Sequence, residues 1–147
     1  MTRRVYFLFL ILLCVSCSSH GSLSRQDNVC FGKRCMTVEV VQSPEDVMRG
    51  LQHRKYLAGN TGMLFIFPKV GTYDFWMKDT LIALDMIWLD ENRNVVYIAQ
   101  DVLPCLKDPC PTYGPAQASR YVLEINAGDA RQGHIRVGDR AEFKLRE

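Results

Sequence analysis

Residues 1–17 divide the chain into a segment that directs export and a segment that folds. Arg3 and Arg4 give a short basic start, residues 5–15 are almost wholly apolar, and the small residue Ser16 follows. This order of features is typical of a secretory signal peptide. The apolar run is too short to cross the roughly 30 Å hydrocarbon core of a membrane as a helix. The part of the chain that folds is therefore expected to begin after Ser16.

A cysteine stands directly after this small residue. Residues 13–17, Leu-Cys-Val-Ser-Cys, resemble the lipobox at which bacterial lipoproteins are cleaved and acylated, with Cys14 where Leu is usual. We expect a signal peptide of residues 1–16, a lipid on Cys17, and a protein anchored in the bacterial cell envelope and facing the periplasm. Ser18, instead of Asp, is compatible with the outer membrane. An ordinary secreted protein that is cleaved nearby is the alternative.

The charge balance argues against nucleic-acid binding. The chain has 18 Lys and Arg against 16 Asp and Glu, and Arg3 and Arg4 leave with the signal peptide, which has no acidic residue. The mature chain is therefore neutral and has no basic run, whereas nucleic-acid binding needs cations that neutralise phosphates. We expect a membrane partner through the lipid anchor and a small-molecule or cell-envelope ligand, but no nucleic acid.

Four cysteines remain in the part that folds: Cys30, Cys35, Cys105 and Cys110. An even number in an exported chain indicates disulfides, and four thiols allow three pairings. The two C-x4-C spacings favour the local pairs Cys30–Cys35 and Cys105–Cys110. A redox-active pair would need a reactive thiol, usually in a C-x-x-C context. A zinc site built from the four thiols is the remaining alternative.

Short apolar runs between turn signals predict a β-rich α+β domain. We predict strands at residues 36–41, 63–67, 72–77, 84–89, 95–99, 121–125 and 141–145. Ser43 and Pro44 predict the start of one short helix, and residues 127–133 a second. We interpret residues 17–35 as a tether with the first cysteine pair. Residues 36–147 then form a single partly closed β-barrel of short strands, with one or two short capping helices.

The segment of residues 75–85 contains the best candidate ligand site. Side chains alternate between the two faces of a strand, so Trp76, Lys78 and Thr80 are predicted to share one face. A Trp side chain offers a flat apolar wall with a polar N–H, and Lys78 adds a cation for an anionic or sugar-like ligand. The alternative is that Trp76 is partly buried in the core and Lys78 pairs with a nearby carboxylate, namely that of Asp79, Asp85 or Glu124.

Glu124 lies inside an apolar strand. A buried carboxyl group needs a partner, which Lys78 or Arg120 would supply. Asp85 and Glu124 could also form a general acid/base pair, as in glycoside hydrolysis. Nucleophilic catalysis is disfavoured, because no Ser lies in a G-x-S-x-G context and the paired cysteines are not free. The candidate ligand-binding residues are therefore Trp76, Lys78, Asp79, Thr80, Asp85 and Glu124.

The residue types that bind metals are scattered. His20, His53 and His134 show no ligand spacing. The methionines at 63, 77 and 86 suit soft metals such as copper, but their Leu, Ile and Phe neighbours favour a role in core packing. We expect no metal and no cofactor.

Four segments together resemble a known family. They are Arg49-Gly50-Leu51-x-x-Arg54, Gly62-Met63-Leu64-Phe65, Phe75-Trp76-Met77-Lys78-Asp79-Thr80 with Leu84-Asp85, and the segment of residues 121–128 followed by Gly138-Asp139. Their order and spacing are similar to those of the domain of unknown function 192 family, over about residues 36–143. The chain has Asp79 where Asn is usual and Ala83 where Pro is usual. The resemblance implies a β-rich pseudo-barrel with a helix at one end, and no established reaction.

Three functions remain open. We favour a small envelope-anchored binding or accessory module without enzymatic activity, with the loop of residues 104–115 as the rim of its pocket. The second is a hydrolase or transferase acting on cell-envelope sugar or peptide, using Asp85, Glu124 or Asp79 with Lys78. The third is a structural lipoprotein whose partners are other envelope proteins.

Overall fold

The computed structural model describes residues 26–145. The predicted signal peptide, the acylation site Cys17, His20 and the N-terminal part of the tether lie outside the described residues. The strands are β1 Asn28–Phe31, β2 Arg34–Val41, β3 Thr61–Gly71, β4 Phe75–Trp76, β5 Leu84–Leu89, β6 Val95–Val102, β7 Thr112–Tyr113, β8 Ser119–Asn126 and β9 Ala141–Lys144. The helices are α1 Pro44–Arg49 and α2 Asp129–Gln132.

Seven of these strands form one curled sheet in the order β6-β5-β8-β3-β2-β1-β9, and β4 pairs with β7 in a separate ribbon. The two end strands of the sheet meet at one end. There the backbone N–H of Val95 donates to the carbonyl of Asp139 at 2.8 Å, and that of Ala141 donates to the carbonyl of Arg93 at 2.9 Å. This contact satisfies part of two edges that would otherwise be free to pair with other chains. The prediction of a partly closed β-barrel is confirmed.

The sheet is apolar on both faces. One cluster of buried residues draws on all seven strands, and it includes Val29 of β1, Val95 of β6 and Ala141 of β9 together with Ala130 of α2. It therefore fills the inside of the barrel. A second cluster covers the outer face of β3, β5 and β8 and includes Leu51, just after α1. Because both faces are covered, all six residues of β5 are buried.

Helix α1 begins as its sequence predicts. The Ser43 hydroxyl accepts a hydrogen bond from the backbone N–H of Asp46 at 3.1 Å, and Pro44 occupies the first turn. Gly50 ends the helix with a φ of 45°, and a Cβ at this position would lie 3.3 Å from the ring of Phe65. The glycine therefore lets the end of α1 pack closely on β3.

Strands β1 and β7 are the elements that the sequence patterns did not predict. Residues 28–31, assigned to the tether, pair with β2 and β9, so the sheet begins at Asn28 instead of Met36. Cys30 lies directly opposite Cys35 in the β1–β2 hairpin. Both local disulfides, Cys30–Cys35 and Cys105–Cys110, are present as predicted.

Strand β3 is longer than the predicted strand of residues 63–67, and the predicted strand of residues 72–77 is shorter. β3 continues past Pro68 to Gly71, but its register with β8 shifts between Ile66 and Gly71. Pro68 lies within this irregular stretch, where the regular ladder does not require an N–H from it. Beyond Gly71 the chain leaves the sheet, and of residues 72–77 only Phe75 and Trp76 pair, with β7.

Candidate functional site

An apolar groove of about 360 Å³ lies on the outer side of the sheet, between α1 and the ribbon of β4 and β7. The residues that line it are Val47, Met48, Phe67, Tyr73, Asp74, Phe75, Trp76 and Thr112. Two of its large apolar side chains are exposed, because Trp76 keeps 43% and Met48 67% of its surface accessible. The groove thus has an apolar wall on each side and opens to solvent.

Aromatic contacts hold the floor of the groove in place. The rings of Phe67 and Tyr73 are stacked with centroids 3.6 Å apart, and Phe75 meets Phe65 edge to face at 4.9 Å. Below them, the indole N–H of Trp88 donates to the backbone carbonyl of Tyr73 at 2.8 Å. Such pairs fix ring orientation beyond simple area burial. The groove is therefore formed before any ligand enters.

A smaller pocket of about 30 Å³ adjoins this groove. The two share Val47, Met48, Phe75 and Trp76 among their lining residues. The pocket reaches further into the protein, to the side chains of two buried polar residues, Thr80 and Glu124. Three of the predicted site residues, Trp76, Thr80 and Glu124, therefore line one pocket.

Glu124 lies on β8 at the base of this pocket and is only 5% exposed. Its register partners on the neighbouring strands are Met63 on β3 and Met86 on β5, so thioether side chains stand on both sides of it. Within residues 26–145, its carboxyl group has neither a hydrogen-bond donor nor an ionic partner. Burial raises the pKa of Glu124 to about 8. The group is therefore mainly protonated and uncharged at neutral pH.

The expected cationic partners of Glu124 are engaged elsewhere or lie apart from it. The Lys78 ammonium group donates to the carboxylate of Asp108 at 3.2 Å and stands 5.8 Å from the centroid of the Trp76 ring. Arg120 does not line the pocket, and its Nε is buried without a hydrogen-bond partner. The prediction that Lys78 or Arg120 pairs with Glu124 is wrong, as is the pairing of Lys78 with Asp79 or Asp85.

Asp79 changes the direction of the chain between Lys78 and Thr80. Its φ is 56°, and its carbonyl accepts a hydrogen bond from the backbone N–H of His53 at 2.8 Å. This left-handed residue breaks the alternation that an extended strand would keep. Thr80 is consequently buried while Trp76 is exposed. The predicted common face of Trp76, Lys78 and Thr80 is therefore wrong for Thr80, although Thr80 still reaches the small pocket.

Asp85 has a structural environment on the other face of the sheet. It pairs in register with Ile125, whereas Glu124 pairs with Met86, so the two carboxyl groups project to opposite faces. Asp85 is fully buried, and its two oxygens accept hydrogen bonds from the backbone N–H groups of Asp101 at 2.8 Å and Ala130 at 2.9 Å. Asp85 and Glu124 therefore cannot act on the same bond as an acid/base pair, and Asp85 is omitted from the site proposed below.

The disulfide loop borders the site from the ribbon side. The Cys105 backbone N–H donates to the carbonyl of Met77 at 3.3 Å, which ties the loop to the segment after β4. Asp108, inside the loop, holds Lys78, and Thr112, just after it, lines the groove. The apolar residue Leu106 at the tip of the loop is 96% exposed.

Several groove residues lie outside the predicted set: Val47, Met48, Phe67, Tyr73, Asp74, Phe75 and Thr112. The sequence contains a signal for one of them, Met48, because it is a large apolar residue among the polar residues of a short helix. In the part of the chain that the structure describes, no group of three or more His, Cys, Asp or Glu residues is arranged to hold a metal ion. Among the same residues, no helix has the length and apolarity needed to cross a membrane.

Comparisons with known proteins give a family and two structural relatives. The model of DUF192, described as an uncharacterized ACR, matches residues 28–143. A crystal structure from Sinorhizobium meliloti 1021, of a protein described as a proposed transcription regulator, is 27% identical with a TM-score of 0.73, covering 80% of this chain and 92% of that one. A protein of unknown function from Novosphingobium aromaticivorans DSM 12444 is 29% identical with a TM-score of 0.72, covering 80% and 83%. No curated protein matches.

Proposed function

Because the chain belongs to the DUF192 family, whose description assigns no activity, we propose a function from the chain's own site. The protein is a lipid-anchored binding module of the bacterial cell envelope. It holds a small amphipathic molecule in the groove between α1 and the β4–β7 ribbon. The observation that supports this proposal is a preformed apolar groove of about 360 Å³ that opens to solvent beside the half-exposed Trp76.

The size and lining of the groove suit a small molecule. Ligand pockets are typically clefts of roughly 300–1,000 Å³ with mostly apolar walls and a few polar groups. Here aromatic rings provide the walls, while Asp74 and Thr112 place polar groups among the lining residues. Trp76 is the single exposed indole of the site, so it is the residue with the largest contact area to offer an incoming ligand.

The location rests on the N-terminal sequence and the cysteines. A signal peptide over residues 1–16 would export the chain, and acylation of Cys17 would hold it at the periplasmic side of a membrane. The two disulfides, Cys30–Cys35 and Cys105–Cys110, fit an oxidising compartment.

Binding in the groove can be tested with N-phenyl-1-naphthylamine, an uncharged apolar probe whose fluorescence rises out of water. We expect saturable binding to the wild-type protein and an increase of about tenfold or more in Kd for Trp76→Ala. Val137→Ala is the matched control, because Val137 is also exposed but does not line the groove. Equal binding by all three proteins would contradict the proposed site.

Anchoring is tested by intact-mass spectrometry of the protein extracted from native membranes. We expect a species that begins at Cys17, with acyl chains and two disulfides, and a cytosolic or periplasmic, non-acylated product from Cys17→Ser. A full-length chain that keeps Met1 and six free thiols in the cytosolic fraction would contradict the envelope location.

A structural role in the envelope is a second candidate, and exposed apolar residues in and just before the disulfide loop favour it. Leu103 and Leu106 present 70% and 96% of their surfaces to solvent, as residues at a protein–protein contact would. In this case the double substitution Leu103→Ser, Leu106→Ser would prevent chemical crosslinking of the protein to its envelope partner, whereas Trp76→Ala would not.

A further inference from the structure

The small pocket beside the groove ends at a buried acid that nothing in the described chain neutralises. Glu124 is more than nine-tenths buried, has no hydrogen-bond donor or cation against its carboxyl group, and lines the pocket together with the buried hydroxyl residue Thr80. Burying such a group without a partner costs free energy. An unsatisfied polar group that faces a cavity next to a ligand groove is a candidate binding group.

We infer that this pocket is a subsite for one uncharged oxygen group of the ligand, a hydroxyl or a carbonyl, to which Glu124 donates a hydrogen bond. The inference rests on the proposed function, because the apolar body of the same ligand occupies the groove. The ligand class is therefore an uncharged apolar or aromatic molecule that carries a terminal hydroxyl or carbonyl oxygen.

The size of the pocket limits what can enter it. A volume of about 30 Å³ is above the roughly 10–15 Å³ that one water-sized group needs. A hydroxyl or carbonyl oxygen therefore fits this space, which is much smaller than the groove beside it. The larger groove shares four lining residues with the pocket, so a ligand body in the groove can place its terminal oxygen against Glu124.

The charge state of Glu124 decides between ligands of similar size. Burial raises the pKa of its carboxyl group to about 8, so at neutral pH it is a hydrogen-bond donor. A neutral oxygen accepts this hydrogen bond without any change of charge. A primary ammonium group would have to displace the proton first, and it would then form a buried ion pair, which gains little over its desolvation cost.

The charged groups around the pocket are either paired with one another or exposed to solvent. From α1, Arg49 lines the pocket and forms a salt bridge with Asp46. From the segment after β4, Lys78 pairs with Asp108, and Asp79 is exposed. The strands on either side of Glu124 present methionines. A pH response of ligand binding near pH 8 is therefore assigned to Glu124.

Four matched probes test the inference, because they share one naphthyl body. They are 2-(1-naphthyl)ethanol, 2-(1-naphthyl)ethylamine, 1-naphthylacetate and 1-ethylnaphthalene, each titrated by calorimetry at pH 6.5. For the wild-type protein we expect the alcohol to bind about tenfold or more tightly than the other three. Tightest binding by the amine would overturn the inference in favour of an ion pair, and equal binding by all four would remove any role for the pocket.

Two substitutions at one position separate the hydrogen bond from the fold. Glu124→Gln keeps an N–H donor of similar shape, so the alcohol preference should persist within about threefold. Glu124→Leu removes the donor, and the preference over 1-ethylnaphthalene should disappear. Raising the pH to 9 should weaken wild-type binding of the ketone 1-(1-naphthyl)propan-2-one about tenfold, because its carbonyl can only accept a hydrogen bond, but leave the Gln variant unchanged. An alcohol preference that survives in Glu124→Leu contradicts the inference.

The same titrations distinguish failure of this inference from failure of the proposed function. If 1-ethylnaphthalene binds to the wild-type protein but not to Trp76→Ala, the groove is a ligand site, regardless of how the three polar probes rank. If no probe binds in a Trp76-dependent way, the groove itself is not a ligand site. Far-ultraviolet circular dichroism of each variant shows whether it is folded before its binding is compared.

Discussion

Asp85 and Glu124 are buried carboxyl groups on neighbouring strands, yet their surroundings are opposite. Asp85 faces the inside of the barrel, where the backbone N–H groups of Asp101 and Ala130 donate to its two oxygens. Glu124 faces the outer layer, between two methionines, and receives no hydrogen bond from the described residues. One carboxyl group thus joins three parts of the fold, while the other is left without a partner in a pocket that opens toward solvent.

This difference in hydrogen bonding means that Asp85 stabilises the fold, whereas Glu124 does not. Buried polar groups are almost always hydrogen-bonded, because a lost hydrogen bond in the interior costs roughly 1–3 kcal/mol. Asp85 follows this rule, and its hydrogen bonds hold the start of α2 and the end of β6 to β5. Glu124 meets no donor among the described residues and instead lines the small pocket beside the groove, as perturbed polar groups at functional sites often do.

The largest expected effect comes from removing the satisfied carboxyl group. Asp85→Ala leaves two N–H groups, of Asp101 and Ala130, without an acceptor in the protein interior. We expect the free energy of unfolding to fall by roughly 3 kcal/mol or more, measured by urea denaturation with tryptophan fluorescence. Asp85→Asn keeps one acceptor oxygen and should lose less. A loss below about 1 kcal/mol in Asp85→Ala would contradict the structural role.

Replacing the unsatisfied carboxyl group should have the opposite sign. Glu124→Met introduces a side chain like those of its register neighbours Met63 and Met86. We expect the free energy of unfolding at pH 8 to rise by about 1–3 kcal/mol, because the cost of desolvating the acid disappears. The control is Glu91→Met in the exposed β5–β6 turn, which should change stability by less than about 0.5 kcal/mol.

The pH dependence of stability sharpens the comparison further. The pKa of Glu124 is about 8 in the folded protein against an ordinary value of 4.5, so between these values the folded state holds a proton that the unfolded state has lost. Stability should therefore fall as pH rises through this window, by on the order of 1 kcal/mol per pH unit from this group. Glu124→Gln should flatten the decline. Parallel curves for the two proteins would show that Glu124 does not titrate this way.

The smallest expected change in the free energy of unfolding comes from an exposed carboxylate. Glu39 accepts two hydrogen bonds from Arg54, at 2.5 and 2.6 Å, and this contact lowers the pKa of Glu39. The stabilisation is therefore present above the ordinary pKa of 4.5 and is lost as pH falls through the lowered pKa of the folded protein. Because the pair is solvent-exposed, Arg54→Ala should cost less than about 1 kcal/mol at pH 7. A double-mutant cycle with Glu39→Gln measures the coupling.

Local patterns predicted the elements whose contacts are local. Strands β5 and β6, the capped start of α1 and the two disulfides each depend on residues that are a few positions apart, and each is found in the structure. Strand β1 was missed because it is short and follows a polar segment. It becomes a strand by pairing with β9, which lies at the other end of the sequence.

The candidate site was predicted only in part, because its geometry depends on contacts between segments that are distant in the sequence. Composition pointed to the segment around Trp76, but the face of Thr80 depends on the left-handed Asp79, and the pairing of Lys78 depends on a loop thirty residues away. The groove itself also needs Val47 and Met48 from α1. These contacts join residues that are too far apart in the sequence for a local pattern to predict them.

By itself the sequence determined that this chain would build a β-rich barrel with local disulfides, and that a carboxyl group would lie within an apolar strand at position 124. Only the tertiary structure decided that Asp85 and Glu124 face opposite sides of the sheet, and that Glu124 meets a cavity instead of a cation. The physical reason is register. Strand pairing fixes which side chains face each other, and a shift of one residue exchanges the two faces of a strand.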